Sequence, residues 1–415
     1  MKLIDLKKKF LRTALPFLSS LLILVFSGCN EQPTDVGMPL MFDTVTVYPL
    51  SSNTSNIFTG QRTFQIFDSL HNNGAFMFGI SENIKAAAIV RFMESNFVDS
   101  LNVIKLSSIK SVKLTIKPTK YTFGDLQGNF LSFKVYRMKS GDDYGWSKAS
   151  SWDSIFNSGN GSDLYYSTPI GQWSGNIPII DSTSNIDIEL SDKQMITDWI
   201  KDNKDSLDIW GLCFVPDQGS NVIRQFARLA SDNENPVPKI SVIYTNETTQ
   251  KDDTLTAYSA DYKTVIKSPA PDTTYLTVQG STSIRSQLNF DISFLEKSAS
   301  IYKAQLELNY IPGSVKYGSM PIDTVLEAGF FLSDSVWKNP NITYYASLYG
   351  EKYIFPKINS AIEYWLRRDG KGSLYLISPG VTEHTRLDKM SFYGLEEKDP
   401  EKRPKLIIIY SKRPY

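Results

Sequence analysis

Val112-Lys113-Leu114-Thr115-Ile116-Lys117 alternates apolar and polar side chains with a period of two. It puts Val112, Leu114 and Ile116 on one face of an extended chain and Lys113, Thr115 and Lys117 on the other. A helix would scatter these residues around its circumference, whereas a strand with one face in a core and one in water keeps them apart. The same alternation recurs in Ile186, Ile188 and Leu190 against Asp187 and Glu189, and in Leu306, Leu308 and Tyr310 against Glu307 and Asn309. Turns rich in Gly, Asn, Asp and Ser separate these segments where an α/β protein would have long helices. The expected class is therefore all-β, with antiparallel sheets packed face to face in a jelly-roll type of sandwich.

Outward from that strand, the chain repeats itself. Asp43-Thr44-Val45-Thr46-Val47-Tyr48 returns as Asp253-Thr254-Leu255-Thr256-Ala257-Tyr258. Met195-Ile196-Thr197-Asp198-Trp199-Ile200 returns as Ala361-Ile362-Glu363-Tyr364-Trp365-Leu366, and Lys239-Ile240-Ser241-Val242-Ile243-Tyr244 as Lys405-Leu406-Ile407-Ile408-Ile409-Tyr410. Trp199 and Trp365, like Lys239 and Lys405, lie 166 residues apart, so two pieces of each copy keep one spacing. This predicts two tandem sandwiches, residues 41–246 and 251–412, joined by a polar link at 247–250. One short helix per copy interrupts the strands. Ser191-Asp192-Lys193-Gln194 and Ser360-Ala361-Ile362-Glu363 offer capping-box starts, and Trp199 and Trp365 are expected to plug the ends of their sandwiches.

Residues 1–28 have a different character. Lys2, Lys7, Lys8, Lys9 and Arg12 precede a mostly apolar run from Ala14 to Phe26, too short for the roughly 20 residues of a spanning helix, and Phe26-Ser27-Gly28-Cys29 follows. This order resembles the lipobox of bacterial lipoproteins. The resemblance implies that residues 1–28 are a signal peptide and that Cys29 is lipidated as the first residue of the mature chain. Residues 29–40 then form a lipidated tether, and the protein is held to the cell envelope by lipid. Asn30 does not resemble the aspartate that retains such proteins in the inner membrane, so the outer membrane is the expected location. The alternative is an ordinary signal peptide followed by an incidental cysteine.

Composition narrows the rest. Lys plus Arg and Asp plus Glu each number 44, which favours neither nucleic acid nor an anionic surface as a partner. Of the two cysteines, Cys213 sits in Ile209-Trp210-Gly211-Leu212-Cys213-Phe214-Val215 and reads as a small buried hydrophobe. Stability must then come from cores alone, for which about 385 residues suffice.

The order of segments resembles the DNRLRE family, secreted bacterial domains related to carbohydrate-binding modules. Copy one supplies Ile89-Val90-Arg91-Phe92, the strand from Ile109 to Leu114, Phe133-Lys134-Val135-Tyr136, Trp146 with Trp152, the Trp199 helix and Pro238-Lys239-Ile240. Copy two supplies Gln287-Leu288-Asn289-Phe290, Ala304-Gln305-Leu306-Glu307-Leu308, Ser335-Val336-Trp337-Lys338-Asn339-Pro340, the Trp365 helix and Arg403-Pro404-Lys405-Leu406. Long insertions near 118–130 and 156–180 depart from the family's pattern. The resemblance implies sandwich domains and binding of polysaccharide.

Catalytic signals are sparse. The chain has two histidines, His71 and His384, each in a polar stretch, which leaves little for a histidine-based triad or a zinc site. Asp142-Asp143 is a weak calcium pattern, and no phosphate-cradling glycine motif is present. No metal or cofactor is expected, and the chain reads as a binding protein, not an enzyme.

The candidate ligand residues are aromatic. Trp146, Trp152, Tyr165, Tyr166 and Trp173 fall in or beside polar loops of copy one, echoed by Trp337, Tyr344, Tyr345 and Tyr349 in copy two. Flat rings flanked by hydroxyl and amide groups suit sugar faces, and the same rings also serve as core or loop anchors. Asp followed by Ser or Thr and an aliphatic residue, as in Asp153-Ser154-Ile155, Asp253-Thr254-Leu255 and Asp323-Thr324-Val325, resembles an O-glycosylation acceptor motif of Bacteroidetes. It also suits strand starts. The expected function is non-catalytic binding of an extracellular partner, polysaccharide first. A structural or adhesive subunit docking on another envelope protein is the alternative, and a glycoside hydrolase with a carboxylate pair is a weaker one.

Overall fold

The computed structural model describes residues 46–66, 70–71, 75–93, 104–139, 151–156, 164–178, 184–204, 211–227, 238–331 and 340–412. Cys29, Trp146, Trp337 and Asp142-Asp143 lie outside them. The chain divides into two compact units, Met1–Tyr48 and Pro49–Tyr415. Of the first, residues 46–48 are described, and they are exposed.

The strands are β1 (Val47–Ser51), β2 (Phe58–Gln65), β3 (Leu70–His71), β4 (Ala75–Ser81), β5 (Ile84–Met93), β6 (Ile109–Ile116), β7 (Pro118–Gly124), β8 (Phe130–Arg137), β9 (Gly171–Asn176), β10 (Ile186–Glu189), β11 (Gly211–Pro216) and β12 (Val222–Ala227). They continue with β13 (Lys239–Asn246), β14 (Lys251–Lys267), β15 (Leu276–Gln279), β16 (Ile284–Asp291), β17 (Ser300–Asn309), β18 (Val325–Phe330), β19 (Ile342–Tyr349), β20 (Lys352–Phe355), β21 (Lys371–Ile377), β22 (Lys389–Phe392) and β23 (Lys405–Ser411). Among the described residues four α-helices interrupt them: α1 (Trp152–Phe156), α2 (Gln194–Lys204), α3 (Asn359–Leu366) and α4 (Gly380–Glu383). The fold is all-β and antiparallel, as the alternation in the sequence requires. Among the described residues no helix is long and apolar enough to cross a membrane.

β3 to β14 make a 12-stranded sheet that curls around one core. At its centre the rings of Phe78 and Phe226 stack at 4.4 Å, with Phe214 5.1 Å from Phe78. Val112, Leu114 and Ile116 point into this core, and α2 caps it with buried Met195, Ile196, Trp199 and Ile200. In the second sheet α3 does the same with Trp365, whose ring lies 5.2 Å from Phe290 and 5.7 Å from Phe330.

The helix starts differ from the capping boxes expected. At α2 the carboxylate of Asp192, not the Ser191 hydroxyl, takes the Met195 N–H at 3.1 Å. At α3 no side chain caps the first turn, because the Ser360 hydroxyl is hydrogen-bonded to the Tyr344 hydroxyl at 2.6 Å and the Asn359 side-chain Oδ1 takes the Ala304 N–H. α1 and α4 are single turns additional to the one helix expected in each copy.

Sheet membership does not follow the boundary expected at 247–250. Those four residues are the turn of a hairpin. Asn246 accepts the N–H groups of Thr248 and Thr249 on its side chain, Gln250 takes a left-handed φ of 58°, and Lys239–Asn246 pairs residue by residue with Lys251–Tyr258. The hairpin keeps the opening strand of copy two in the first sheet, where β14 continues along β5 to Lys267.

The second sheet contains β15 to β23 and, from the start of the chain, β2, which pairs with β16 from Phe58 to Gln65. The stretch before β2 also belongs to this sandwich. Ile57 is fully buried in its core, Leu50 packs against it, and the Ser52 N–H donates to Leu406 O at 2.9 Å. Each core is thus completed by an opening strand taken from the other sequence copy.

Candidate functional site

The exchanged strands create a cleft where they enter and leave. Thr63, Phe64 and Gln65 of β2, Ser151, Trp152 and Asp153 at the start of α1, and the end of β14 with its following loop, from Ile266 to Thr273, enclose about 720 Å³. The Gln65 side-chain N–H donates to Ser268 Oγ at 2.9 Å, bridging β2 to the chain beyond β14. Phe64 meets the edge of Tyr375 at 6.3 Å, and the Arg62 guanidinium lies 4.9 Å from its ring.

α1 sets the position of Trp152. Ser151 and Ser154 take each other's backbone N–H groups on their hydroxyls, at 3.1 and 3.0 Å, and the Ser154 hydroxyl donates to Ser151 O, which fixes this five-residue turn. Ile155 then plunges into an apolar cluster on the outer side of the first sheet with Ala87, Ile89, Cys213 and Val265. Trp152 is left half-buried at the rim, 4.4 Å from Phe156. Burial raises the Cys213 thiol to about 12, so it acts as the small hydrophobe expected. Lys267 and Asp153 form an exposed ion pair at 3.8 Å on the rim, a contact of little energetic weight that places one charge of each sign there.

The other aromatics named from sequence are dispersed. Tyr165 backs the α1 cluster, with its ring 5.2 Å from Tyr136 and 6.1 Å from Phe156. Burial raises both the Tyr165 and Tyr136 hydroxyls. Tyr166, its chain neighbour, is 42% exposed and stacks instead on the Arg137 guanidinium at 5.0 Å. Arg137 pairs with Asp198 at 2.7 Å and Asp192 at 3.3 Å. Burial opposes its charge, but these carboxylates outweigh it and hold the group above its ordinary value. Trp173 packs on the first core, 5.9 Å from Phe133, with its ring under Gly175. Tyr165, Tyr166 and Trp173 therefore do not share a groove. Of the candidates described, Trp152 lines the cleft, and Phe64, Gln65, Lys267 and Ser268 join it from segments that carried no local signal.

Asp153 is the one carboxylate among the described lining residues, so they do not supply the opposed pair that glycoside hydrolysis requires. Among the described residues no cluster of His, Cys, Asp and Glu is arranged to hold a metal ion.

No protein-family profile matches the chain, and no curated protein does. Among solved structures, a chain in the structure of the Macrobrachium rosenbergii nodavirus aligns over 93% of this chain and 92% of that one. It is 11% identical with a TM-score of 0.14, too low to indicate a shared architecture.

Proposed function

We propose that the protein is a lipid-anchored component of the cell envelope that binds polysaccharide in the cleft around Trp152 without transforming it. The observation that carries this reading is the composition of the cleft. The flat rings of Trp152 and Phe64 stand beside uncharged hydrogen-bonding groups, Thr63, Gln65, Ser151, Ser268 and Thr273, in a space large enough for a few sugar units. Sugar rings present apolar C–H faces and a girdle of hydroxyls, and this lining offers partners to both. The basic stretch, apolar run and Cys29 support a lipid anchor, and Asn30 supports the outer membrane. The repeated order of segments supports kinship with DNRLRE domains.

The test is binding of the soluble chain from residue 31 onward to a panel of polysaccharides. Trp152→Ala and Phe64→Ala are each expected to weaken binding about tenfold, the loss of one ring–sugar contact. Unchanged affinity in both variants would remove the cleft as the site. Retention of no glycan by the parent chain would move the reading to a subunit that docks on another envelope protein.

The acceptor-like motifs give a second expectation. Thr254 and Thr324 are exposed, whereas the Ser154 hydroxyl is engaged with Ser151 O. Glycosylation in the native host is expected on the two threonines and not on Ser154. Peptide mapping by mass spectrometry would show it, and an intact mass equal to that of the lipidated polypeptide alone would contradict it.

A further inference from the structure

The outer face of the second sandwich carries an aromatic ladder that the cleft does not use. β19 turns Tyr344, Ala346 and Leu348 toward the core and Tyr345, Ser347 and Tyr349 outward, and Tyr345 is 60% and Tyr349 64% exposed. The neighbouring strands keep the same sidedness: Leu326, Ala328 and Phe330 of β18 and Tyr353 and Phe355 of β20 face inward. In the sheet register Tyr345 lies opposite Glu327, Ser347 lies between Val325 and Ile354, and Tyr349 lies opposite Lys352. Glu327 accepts the Gly380 N–H on one carboxylate oxygen at 2.9 Å. The Lys352 ammonium is 3.6 Å from Glu307.

Four residues of strand separate the two tyrosines by about 13 Å at ~3.3 Å per residue, more than twice the breadth of one sugar ring. A single small ligand cannot reach both. We infer that this face binds one linear, neutral polysaccharide chain laid along β19, with one ring on Tyr345, another on Tyr349, and the intervening hydroxyls at Ser347 and Glu327. The inference rests on the polysaccharide reading above and gives it a second, extended contact whose occupant is a polymer.

Two features favour this occupant over a protein. The exposed apolar side chains of the face, Tyr345, Tyr349 and the 39% exposed Val325, amount to roughly 300 Å². The apolar part of a standard protein interface is larger, about 450 Å² of the ~800 Å² that each partner buries. Lys352 is paired with Glu307, and Glu327, opposite Tyr345, accepts the Gly380 N–H, so these charges are already engaged and the face suits an uncharged chain better than a strongly charged one.

The test compares Trp152→Ala, Tyr345→Ala, Tyr349→Ala and the double tyrosine variant in the chain from residue 31. Affinity electrophoresis is run through gels containing β-glucan, xylan, mannan or amylose, followed by calorimetry with disaccharides and hexasaccharides of the polymer that retards the protein. Both tyrosines are exposed, so the variants should keep the parent's thermal midpoint. Each single tyrosine change is expected to weaken polymer binding about tenfold, the double change more, and hexasaccharides to bind better than disaccharides.

Unchanged polymer affinity in the double variant, with loss in Trp152→Ala, would overturn the ladder and leave the cleft standing. Loss in the double variant with a partial effect of Trp152→Ala would support the ladder. Retardation of the parent by no polymer would remove both. A concentration-dependent dimer in sedimentation velocity that Tyr349→Ala abolishes would reassign the face to a second copy of the chain and overturn the proposal.

Discussion

A chain that begins at residue 70 is expected to keep its first sandwich and lose its second. The deletion removes β2, which pairs with β16 over the whole of Phe58–Gln65, and takes Leu50, Ile57 and Phe58 from the second core. Losing a buried Ile or Leu side chain typically costs about 2–5 kcal/mol. That loss at Ile57, the partly buried contacts of Leu50 and Phe58, and the pairing of β2 with β16 together approach the stability of a domain, about 5–15 kcal/mol.

The pairing also leaves a polar cost behind. Thr63 donates to Tyr275 O at 2.7 Å and lies 2.7 Å from Ser286 Oγ inside the sheet, so removing β2 strips a hydrogen-bond partner from a buried hydroxyl. By the same logic a fragment covering 251–412 should not fold alone, and neither should 41–246, which lacks β14 against β5 and β13. Co-expressed, the two halves should associate and co-purify, because each holds the strand that the other needs. Limited proteolysis and chemical denaturation of the fragments check this. Cooperative unfolding of isolated 251–412 with native-like spectra would contradict it.

That exchange marks where the sequence stops being informative. Alternation in Val112–Lys117 and in Leu306–Tyr310 is a local property, and each segment became a strand with its apolar residues inward. The helical faces around Trp199 and Trp365 are also local, and both became caps. Which strand pairs with which is not local. The tight turn at 247–250 reads as a polar linker until its φ angle and the Asn246 hydrogen bonds show a hairpin.

The candidate site follows the same division. Trp152 was legible as a loop aromatic, but Phe64 and Lys267 meet it only because β2 and β14 are exchanged. Adjacent tyrosines gave the clearest miss. Tyr165 and Tyr166 look equivalent in sequence, yet one backs the α1 cluster and the other stacks on Arg137. Tyr345 and Tyr349 were visible as aromatics in copy two, but their shared outward face depends on the register of β19.

Glu383→Ala should destabilise the second sandwich by about 3–5 kcal/mol, the usual cost of stranding one member of a buried ion pair. Arg285 on β16 and Glu383 at the end of α4 are 7% and 6% exposed in their side chains and meet at 2.8 Å. The Arg285 Nε–H donates to Glu383 Oε1, one Nη lies 2.8 Å from the same oxygen, the other Nη has no hydrogen-bond partner, and the further carboxylate in its field, Glu327, accepts the Gly380 N–H. Removing the carboxylate therefore leaves a charge in a site that water does not reach.

Removing both charges is a different matter. Arg285→Met with Glu383→Leu replaces the pair by apolar side chains that fill much of the same space, and such replacements are often neutral or stabilising because neither ion must be desolvated. The double variant is expected to recover most of the loss, which gives a coupling energy of several kcal/mol in a double-mutant cycle. Urea denaturation of the four proteins measures it. Additive losses would mean that the two groups act independently and that the pair does not hold α4 to the sheet.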